Sequence, residues 1–82
     1  MQITCKLFAG LMDFLPGDAD GNVFVMRSEQ PLSPHAALDR LNVPREQAYL
    51  VLVNGIYIAE EDRDQLLADG DVMAAWPPVA GG

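Results

Sequence analysis

The sequence predicts an α+β domain in which one layer of mixed β-sheet lies under one main helix. Three observations support this prediction: strand-like segments lie at both ends of the chain, one segment begins with a helix cap, and Gly- and Asp-containing turns separate them. With 82 residues, 50% of them hydrophobic, the chain has the length of one folded domain. We therefore predict a domain of four to five strands over residues 1–76, followed by a flexible tail over residues 77–82.

The first two strands are predicted to form an antiparallel hairpin. Residues 2–8 alternate between apolar and polar side chains, which is typical of a half-buried strand. Cys5 lies on the apolar side of this pattern and is expected to be a small buried hydrophobe. Residues 9–22 form a Gly-, Pro- and Asp-containing loop with a short helical turn before Pro16. Val23–Arg27 is predicted to return as the second strand.

Ser33 and Pro34 predict the start of the helix, because a hydroxyl side chain caps the first turn and proline suits the first helical position. The helix is expected to end near Asn42, which tolerates a left-handed backbone, just before Pro44. Between these ends an apolar stripe recurs at helical spacing and consists of Ala37, Leu38 and Leu41.

The second half of the chain is predicted to supply the remaining strands. The continuous apolar run 49–53 indicates a strand that is buried on both faces or central in the sheet. Asn54 and Gly55 favour a two-residue hairpin turn into a return strand over 56–58. Val72–Trp76 is the last strand, and parallel pairing with the first strand would place it in the middle of the sheet.

The segment between the return strand and the last strand is acidic. Four carboxylates within residues 60–65 favour a solvated loop over a metal cluster, and Leu66 and Leu67 are expected to anchor this loop to the core. A calcium loop in an earlier segment is disfavoured, because Val23 stands where the required glycine would be. Its oxygen ligands would have been Asp18, Asp20, Asn22 and Glu29.

Charge and composition exclude several functions. The formal net charge of −7 excludes nucleic acid as a partner, because phosphate binding needs a basic surface. No apolar run approaches the roughly 20 residues that span a bilayer, and we expect no membrane association and a cytoplasmic location. His35, the single histidine, is expected to be a solvated residue of the first helical turn. We assign no catalytic residue, no metal site and no permanently bound cofactor.

The tail is the segment that points to a function. Pro77 and Pro78 fix φ and remove two backbone donors, so the last strand cannot continue through them. The residues that follow are two small apolar residues, Val79 and Ala80, and two glycines, Gly81 and Gly82. Such a segment fits a narrow channel and offers only the terminal carboxylate for chemistry. A frayed terminus is the alternative interpretation.

Three motifs in this order resemble the MoaD/ThiS family of β-grasp, ubiquitin-like sulfur carriers. They are Val53-Asn54-Gly55, Leu67-Ala68-Asp69-Gly70-Asp71 and Trp76-Pro77-Pro78-Val79-Ala80-Gly81-Gly82. The proline doublet is more similar to the small subunit of molybdopterin synthase than to the thiamine-pathway carrier. Trp76 stands where that family usually has Phe, and residues 10–22 depart from the helix it more often places there.

The resemblance implies a carrier and not an enzyme. An E1-like activating enzyme would adenylate the carboxylate of Gly82, giving a transient AMP adduct, and a sulfur donor protein would convert it to a thiocarboxylate. Residues 77–81 would insert into a larger molybdopterin synthase subunit, where the sulfur enters a pterin that holds molybdenum or tungsten. Thiamine or another pathway, a ubiquitin-like protein modifier and a binding module with an inert tail are the alternatives.

A partner-docking face is predicted around the last strand. If Met73 and Ala75 face the helix, Trp76 lies on the open face of the sheet with Phe8 and Phe24. An exposed aromatic patch there would mark a docking site. The alternative is that these aromatic side chains belong to the core, because a one-residue slip of register exchanges the two faces.

Overall fold

The computed structural model describes residues 1–79, and over this range it shows a five-stranded mixed sheet with one α-helix packed on one face. The elements are β1 (Gln2–Leu7), β2 (Val23–Arg27), α1 (Pro34–Arg40), β3 (Leu50–Val53), β4 (Ile56–Tyr57) and β5 (Val72–Trp76). Short 3₁₀ helices occupy Ala9–Phe14, Arg45–Gln47 and Glu60–Asp62. The predicted α+β architecture is confirmed. No helix within residues 1–79 is long and apolar enough to cross a membrane.

The last strand lies inside the sheet. The strand order is β2-β1-β5-β3-β4, so β5 has a neighbour on each side. It runs parallel to β1, with Val72 opposite Thr4, and antiparallel to β3, with Trp76 opposite Leu50. The predicted pairing of the first and last strands is therefore confirmed, and the tail leaves from an interior strand.

The core lies between the sheet and α1. Met73 and Ala75 of β5 are fully buried, as are Ala37 and Leu38 of α1. Cys5 is also fully buried, as expected, and burial raises the pKa of its thiol to about 11. A thiol held neutral in the core is a packing group, because the thiolate is the reactive form.

Strand β3 is interior but is not buried on both faces. Val51 is fully buried against α1, whereas Leu50 and Leu52 point to the other face and are half-buried. The edge position next to β3 belongs to the short strand β4. The continuous apolar run thus predicted the strand correctly, and of its two alternatives the interior position in the sheet is found, while burial on both faces is not.

The predicted turns and caps form. Asn54 and Gly55 have φ of 52° and 82°, as a two-residue hairpin turn requires. The Ser33 hydroxyl accepts a hydrogen bond of 3.1 Å from the Ala36 backbone N–H, which caps the first turn of α1. Asn42 ends the helical segment with φ of 63°.

The expectation for His35 was wrong. The residue is buried, with 8% of its side chain exposed, and its Nδ1 lies 3.0 Å from Oδ1 of Asp64. The backbone N–H of His35 donates to the carbonyl of Arg63, so the segment after β4 covers the first turn of α1. Leu67 anchors that segment as expected, but Leu66 is 68% exposed and does not.

A hydrogen-bond junction connects the β3–β4 turn to the start of β5. Asn54 Nδ2 donates to Asp71 Oδ1 at 2.9 Å, and the Val72 N–H donates to Asn54 Oδ1 at 2.9 Å. The other carboxylate oxygen of Asp71 accepts from the Ala68 N–H at 2.8 Å. The hydrogen bond from Ala68, followed by that from Asn54, lowers the pKa of Asp71 below its ordinary value of 3.8.

The stability of the junction should therefore depend on pH in acid. Because the pKa of Asp71 is lower in the folded protein, its contribution is complete above the unfolded pKa of 3.8 and is lost as pH falls through the folded pKa. Since Asp71 is partly exposed, we expect an effect of no more than about 1 kcal/mol. Urea unfolding at pH 7 and at pH 3 measures this difference in the free energy of unfolding. Asp71→Asn should weaken the acid dependence, whereas Asp13→Asn, a charge-matched control far along the chain, should retain it.

Candidate functional site at the base of the C-terminal tail

The backbone holds the base of the tail from both sides. The Tyr49 N–H donates to the Trp76 carbonyl at 2.9 Å, and the Phe8 N–H donates to the Ala75 carbonyl at 3.1 Å. Immediately beyond these bonds the chain leaves the sheet: Pro77 is half-buried and Val79 is 78% exposed. Proline suits this position because it lacks the N–H that a continuing strand would need.

An aromatic stack marks the point of exit. The rings of Phe8 and Trp76 lie parallel, with centroids 4.2 Å apart and an interplanar angle of 5°. Both side chains are half-buried and lie on the sheet face opposite α1. Two large rings fixed against each other lose little further rotamer freedom on binding, which favours a docking role.

An apolar groove of about 570 Å³ runs beside this stack. Ala9 on its wall has φ of 53°, a left-handed conformation that non-glycine residues rarely adopt. This backbone turn takes the chain from β1 directly into the 3₁₀ helix Ala9–Phe14 and so leaves the stack uncovered. The groove is lined by Ala9, Gly10, Tyr49, Leu50, Trp76, Pro77, Pro78 and Val79.

The open face of the sheet carries several apolar side chains beside polar ones. Thr4 and Lys6 of β1 lie between Val23 and Val25 of β2 and the residues of β5, so the apolar surface is divided. Its larger part is on β5, β3 and β4, where Tyr57 is 58% exposed, and exposed apolar surface of this kind is typical of a protein-binding face. Its apolar members are Phe8, Val23, Val25, Leu50, Leu52, Tyr57, Val72, Ala74 and Trp76.

The structure places Phe8 and Trp76 together, as predicted, but the placement of Phe24 on their face was wrong. Phe24 lies opposite Cys5 in the β1–β2 register, so its ring packs against the core on the α1 side. The residues of β2 that face outward with Trp76 are Val23, Val25 and Arg27. The sequence of β2 is apolar on both sides, so only the register separates the two faces.

Arg63 supports the site and was missed by the sequence analysis. The residue is 3% exposed, and its guanidinium donates to three backbone carbonyls, those of Ile58, Ala48 and Tyr49, at 3.0, 2.8 and 3.1 Å. Tyr49 in turn holds the Trp76 carbonyl, so Arg63 positions the strand that carries the tail. An arginine in an acidic segment gives no local signal that it will be buried.

Neither the single cysteine nor the single histidine lies at the base of the tail. Cys5 is buried in the core, and His35 is engaged with Asp64 on the α1 side of the sheet. Among residues 1–79, no group of three or more His, Cys, Asp or Glu side chains is placed to hold a metal ion. Pro77 is half-buried and Pro78 and Val79 are exposed, whereas the predicted roles of Ala80, Gly81 and Gly82 fall on residues outside the described range.

Comparison with known proteins agrees with this geometry. The sequence model of the ThiS family matches residues 6–82. No curated protein sequence matches the chain. Among solved structures, a thiamine biosynthesis protein (ThiS) from Geobacter metallireducens is 20% identical, with a TM-score of 0.64 and 100% of both chains covered.

Two further solved structures share the fold. The small archaeal modifier protein 1 from Methanosarcina acetivorans is 24% identical, with a TM-score of 0.66, covering 99% of this chain and 96% of that chain. A chain in the complex of subunits 1 and 2 of the molybdopterin-converting factor from Helicobacter pylori is 18% identical, with a TM-score of 0.59 and 100% of both chains covered.

The mixed sheet, the single packed helix of the described residues and the tail leaving an interior strand define a ubiquitin-like β-grasp protein. Since the family match covers nearly the whole chain, the protein belongs to the ThiS family. Its fold is that of the ThiS/MoaD-like sulfur carriers.

Removing the Arg63 guanidinium should destabilise the protein. We expect Arg63→Met to lower the free energy of unfolding by about 2–4 kcal/mol, because one buried and two partly buried hydrogen bonds to backbone carbonyls lose their charged donor while much of the aliphatic volume is kept. Urea unfolding measures this loss when it is followed by the fluorescence of Trp76, the single tryptophan, which lies at the base of the tail. Arg40→Met, an exposed control at the end of α1, should stay within about 0.5 kcal/mol of wild type. Equal losses in the two variants would contradict the positioning role.

Proposed function

We propose that this protein is a sulfur carrier whose Gly82 carboxylate is adenylated and then converted to a thiocarboxylate, which donates its sulfur in molybdopterin biosynthesis. The observation that supports the proposal is the way in which the tail leaves the sheet. Hydrogen bonds hold the last strand inside the sheet as far as Trp76, and three residues later Val79 is exposed to solvent. A partner can then take the end of the chain without the globular domain entering its active site.

The chemistry requires little from this chain. The carboxylate of Gly82 attacks the α-phosphorus of ATP, a P–O bond breaks, and pyrophosphate leaves. The resulting acyl adenylate is attacked at its carbonyl carbon by the nucleophilic sulfur of a donor protein, and AMP leaves. A reductive cleavage of the donor's S–S bond by a thiol then leaves sulfur on Gly82 as the thiocarboxylate. The E1-like enzyme supplies the nucleotide site, and the donor supplies the persulfide.

The absence of side chains at the end of the tail suits this route. Gly81 and Gly82 carry no Cβ that would obstruct attack at the terminal carbonyl. Pro77 and Pro78 keep the tail extended at its root, which lowers the entropy lost when a channel takes it up. The protein would act as a carrier subunit, while catalysis belongs to its partners.

The open sheet face gives the partner its second contact. A subunit that holds Pro78 and Val79 in a channel will also cover the Phe8–Trp76 stack and the groove beside it. Buried aromatic side chains dominate many protein interfaces, and this pair lies at the root of the tail. We propose that the activating enzyme and the larger synthase subunit use this face in turn, since both need the same end of the chain.

The choice of molybdopterin over the other pathways has its own support. The proline doublet Pro77-Pro78 resembles the molybdopterin synthase small subunit, and the Helicobacter pylori relative was solved as a complex of two subunits of a molybdopterin-converting factor. Protein modification is the second candidate, favoured by the likeness to the small archaeal modifier protein 1. That candidate shares the adenylation step and differs in the acceptor, a lysine amine instead of a pterin precursor.

Intact-mass measurement tests the carrier chemistry. The full chain is incubated with its E1-like enzyme, ATP, a protein persulfide and a reducing thiol, and we expect one carboxylate oxygen to be replaced by sulfur. Cys5→Ala should gain the same sulfur, which would exclude a persulfide on the single cysteine. Deletion of Gly82 should abolish the change. Trp76→Ala should raise the KM for the carrier about tenfold, with a smaller effect on kcat, because a docking contact is lost.

The same experiment separates the alternatives. Sulfur that appears only when Cys5 is present would contradict the carrier proposal. Transfer to the larger synthase subunit and a pterin precursor would support the molybdopterin pathway, whereas Gly-Gly remnants on lysines in digested cell proteins would favour the modifier. A chain that is never adenylated, and whose binding to its partner survives loss of residues 79–82, would be a binding module.

A further inference from the structure

We propose that Asn54 is a site of spontaneous hydrolytic modification, and that its conversion to aspartate or isoaspartate weakens the attachment of the β3–β4 turn to the start of β5, where the backbone N–H of Asn54 also donates to the Val72 carbonyl at 2.8 Å. The inference does not depend on the proposed function. It rests on the Asn54-Gly55 sequence, on the exposure of both residues, and on the hydrogen bonds of the Asn54 carboxamide.

The reaction needs only water. The backbone nitrogen of Gly55 attacks Cγ of Asn54, a C–N bond forms, the Cγ–Nδ2 bond breaks, and ammonia leaves. One water then opens the five-membered imide at either carbonyl, giving aspartate or isoaspartate. Glycine in the second position favours ring closure, because no Cβ hinders the approach of its nitrogen. Asn22 and Asn42 are each followed by valine and lack this advantage.

Hydrogen bonds in the folded protein hold the Asn54 carboxamide in an orientation that does not allow ring closure. Oδ1 of Asn54 accepts from the Val72 N–H and Nδ2 donates to the Asp71 carboxylate, each at 2.9 Å. Ring closure requires the carboxamide to rotate toward Gly55, which breaks both hydrogen bonds. We therefore expect the folded protein to react about 10- to 100-fold more slowly than the unfolded chain, since one of the two bonds is to a charged group.

The protection is local and depends on a weak part of the sheet. Strand β4 is an edge strand of two residues, held to β3 by the pairs Leu52–Tyr57 and Val53–Ile56. Short edge elements open more readily than the core, so the turn can open while the rest of the sheet stays folded. Reaction from this open state requires no global unfolding.

The product cannot restore the junction. A carboxylate at position 54 still accepts from the Val72 N–H, but its second oxygen replaces the Nδ2 donor and faces the Asp71 carboxylate. The two carboxylates repel each other at hydrogen-bond distance, whereas the original amide donor and the Asp71 carboxylate attract each other. Isoaspartate also adds a methylene to the backbone of a two-residue turn, whose geometry fixes the register of β3 and β4.

Peptide mapping by mass spectrometry after incubation at pH 8 tests the proposal. We expect aspartate and isoaspartate to accumulate at position 54 before positions 22 and 42, and more slowly in native buffer than in urea. Asp71→Ala should speed the native reaction about tenfold, because the carboxamide loses its charged acceptor. Asp69→Ala is the matched control: it removes a carboxylate of the same turn that accepts from the Gln2 N–H and does not contact Asn54. Its rate should equal that of wild type.

The variant Asn54→Asp supplies the product directly and keeps the proposal testable if Asp71→Ala does not fold. It should unfold at lower urea than wild type at pH 7, and the difference should shrink below about pH 4, where carboxylates become protonated. Equal native and unfolded reaction rates would overturn the protective role of the fold. An Asn54→Asp variant as stable as wild type at pH 7 would overturn the proposed weakening of the attachment between the turn and β5.

Discussion

The parallel pairing of β1 with β5 fixes the position of everything else in the molecule. It brings β1, which begins at Gln2, and β5, which begins at Val72, together in one sheet. The last strand is then an interior strand with hydrogen bonds on both edges. Such a strand cannot slip by one residue without moving Met73 and Ala75 out of the core. The point at which the tail leaves is therefore set by the packing of the whole sheet.

The same pairing determines what a partner meets. Alternation along β5 buries Met73 and Ala75 on the α1 side and leaves Trp76 on the other side, against Phe8. The carbonyls of Ala75 and Trp76 are satisfied within the sheet, and Pro77 ends the ladder at the next residue. If the protein passes its own end to a partner, as proposed, the last strand supplies a fixed point at Trp76, and Val79 beyond it is 78% exposed.

Local patterns predicted the elements well, and long-range contacts explain what they missed. Val23–Arg27 and Val72–Trp76 have the predicted bounds, and the Asn54-Gly55 turn forms, because alternation and turn chemistry act over a few residues. The burial of His35 and Arg63 could not be read in the same way, since both depend on the segment after β4 folding back. The predicted sheet face of Phe24 was wrong for a related reason: when both sides of a strand are apolar, its sequence does not show which side faces the core. The tail base was predictable because prolines end a strand whatever its neighbours are.

Amide hydrogen exchange measured residue by residue tests the central claim most directly. If the root of the tail is held inside the sheet, the amides of Phe8 and Tyr49, which donate to the Ala75 and Trp76 carbonyls, should be protected nearly as well as the core amides of β1. The Val79 amide should exchange at the rate of an unstructured peptide. Rapid exchange at Phe8 and Tyr49, or strong protection at Val79, would contradict an end that is free beyond a fixed root.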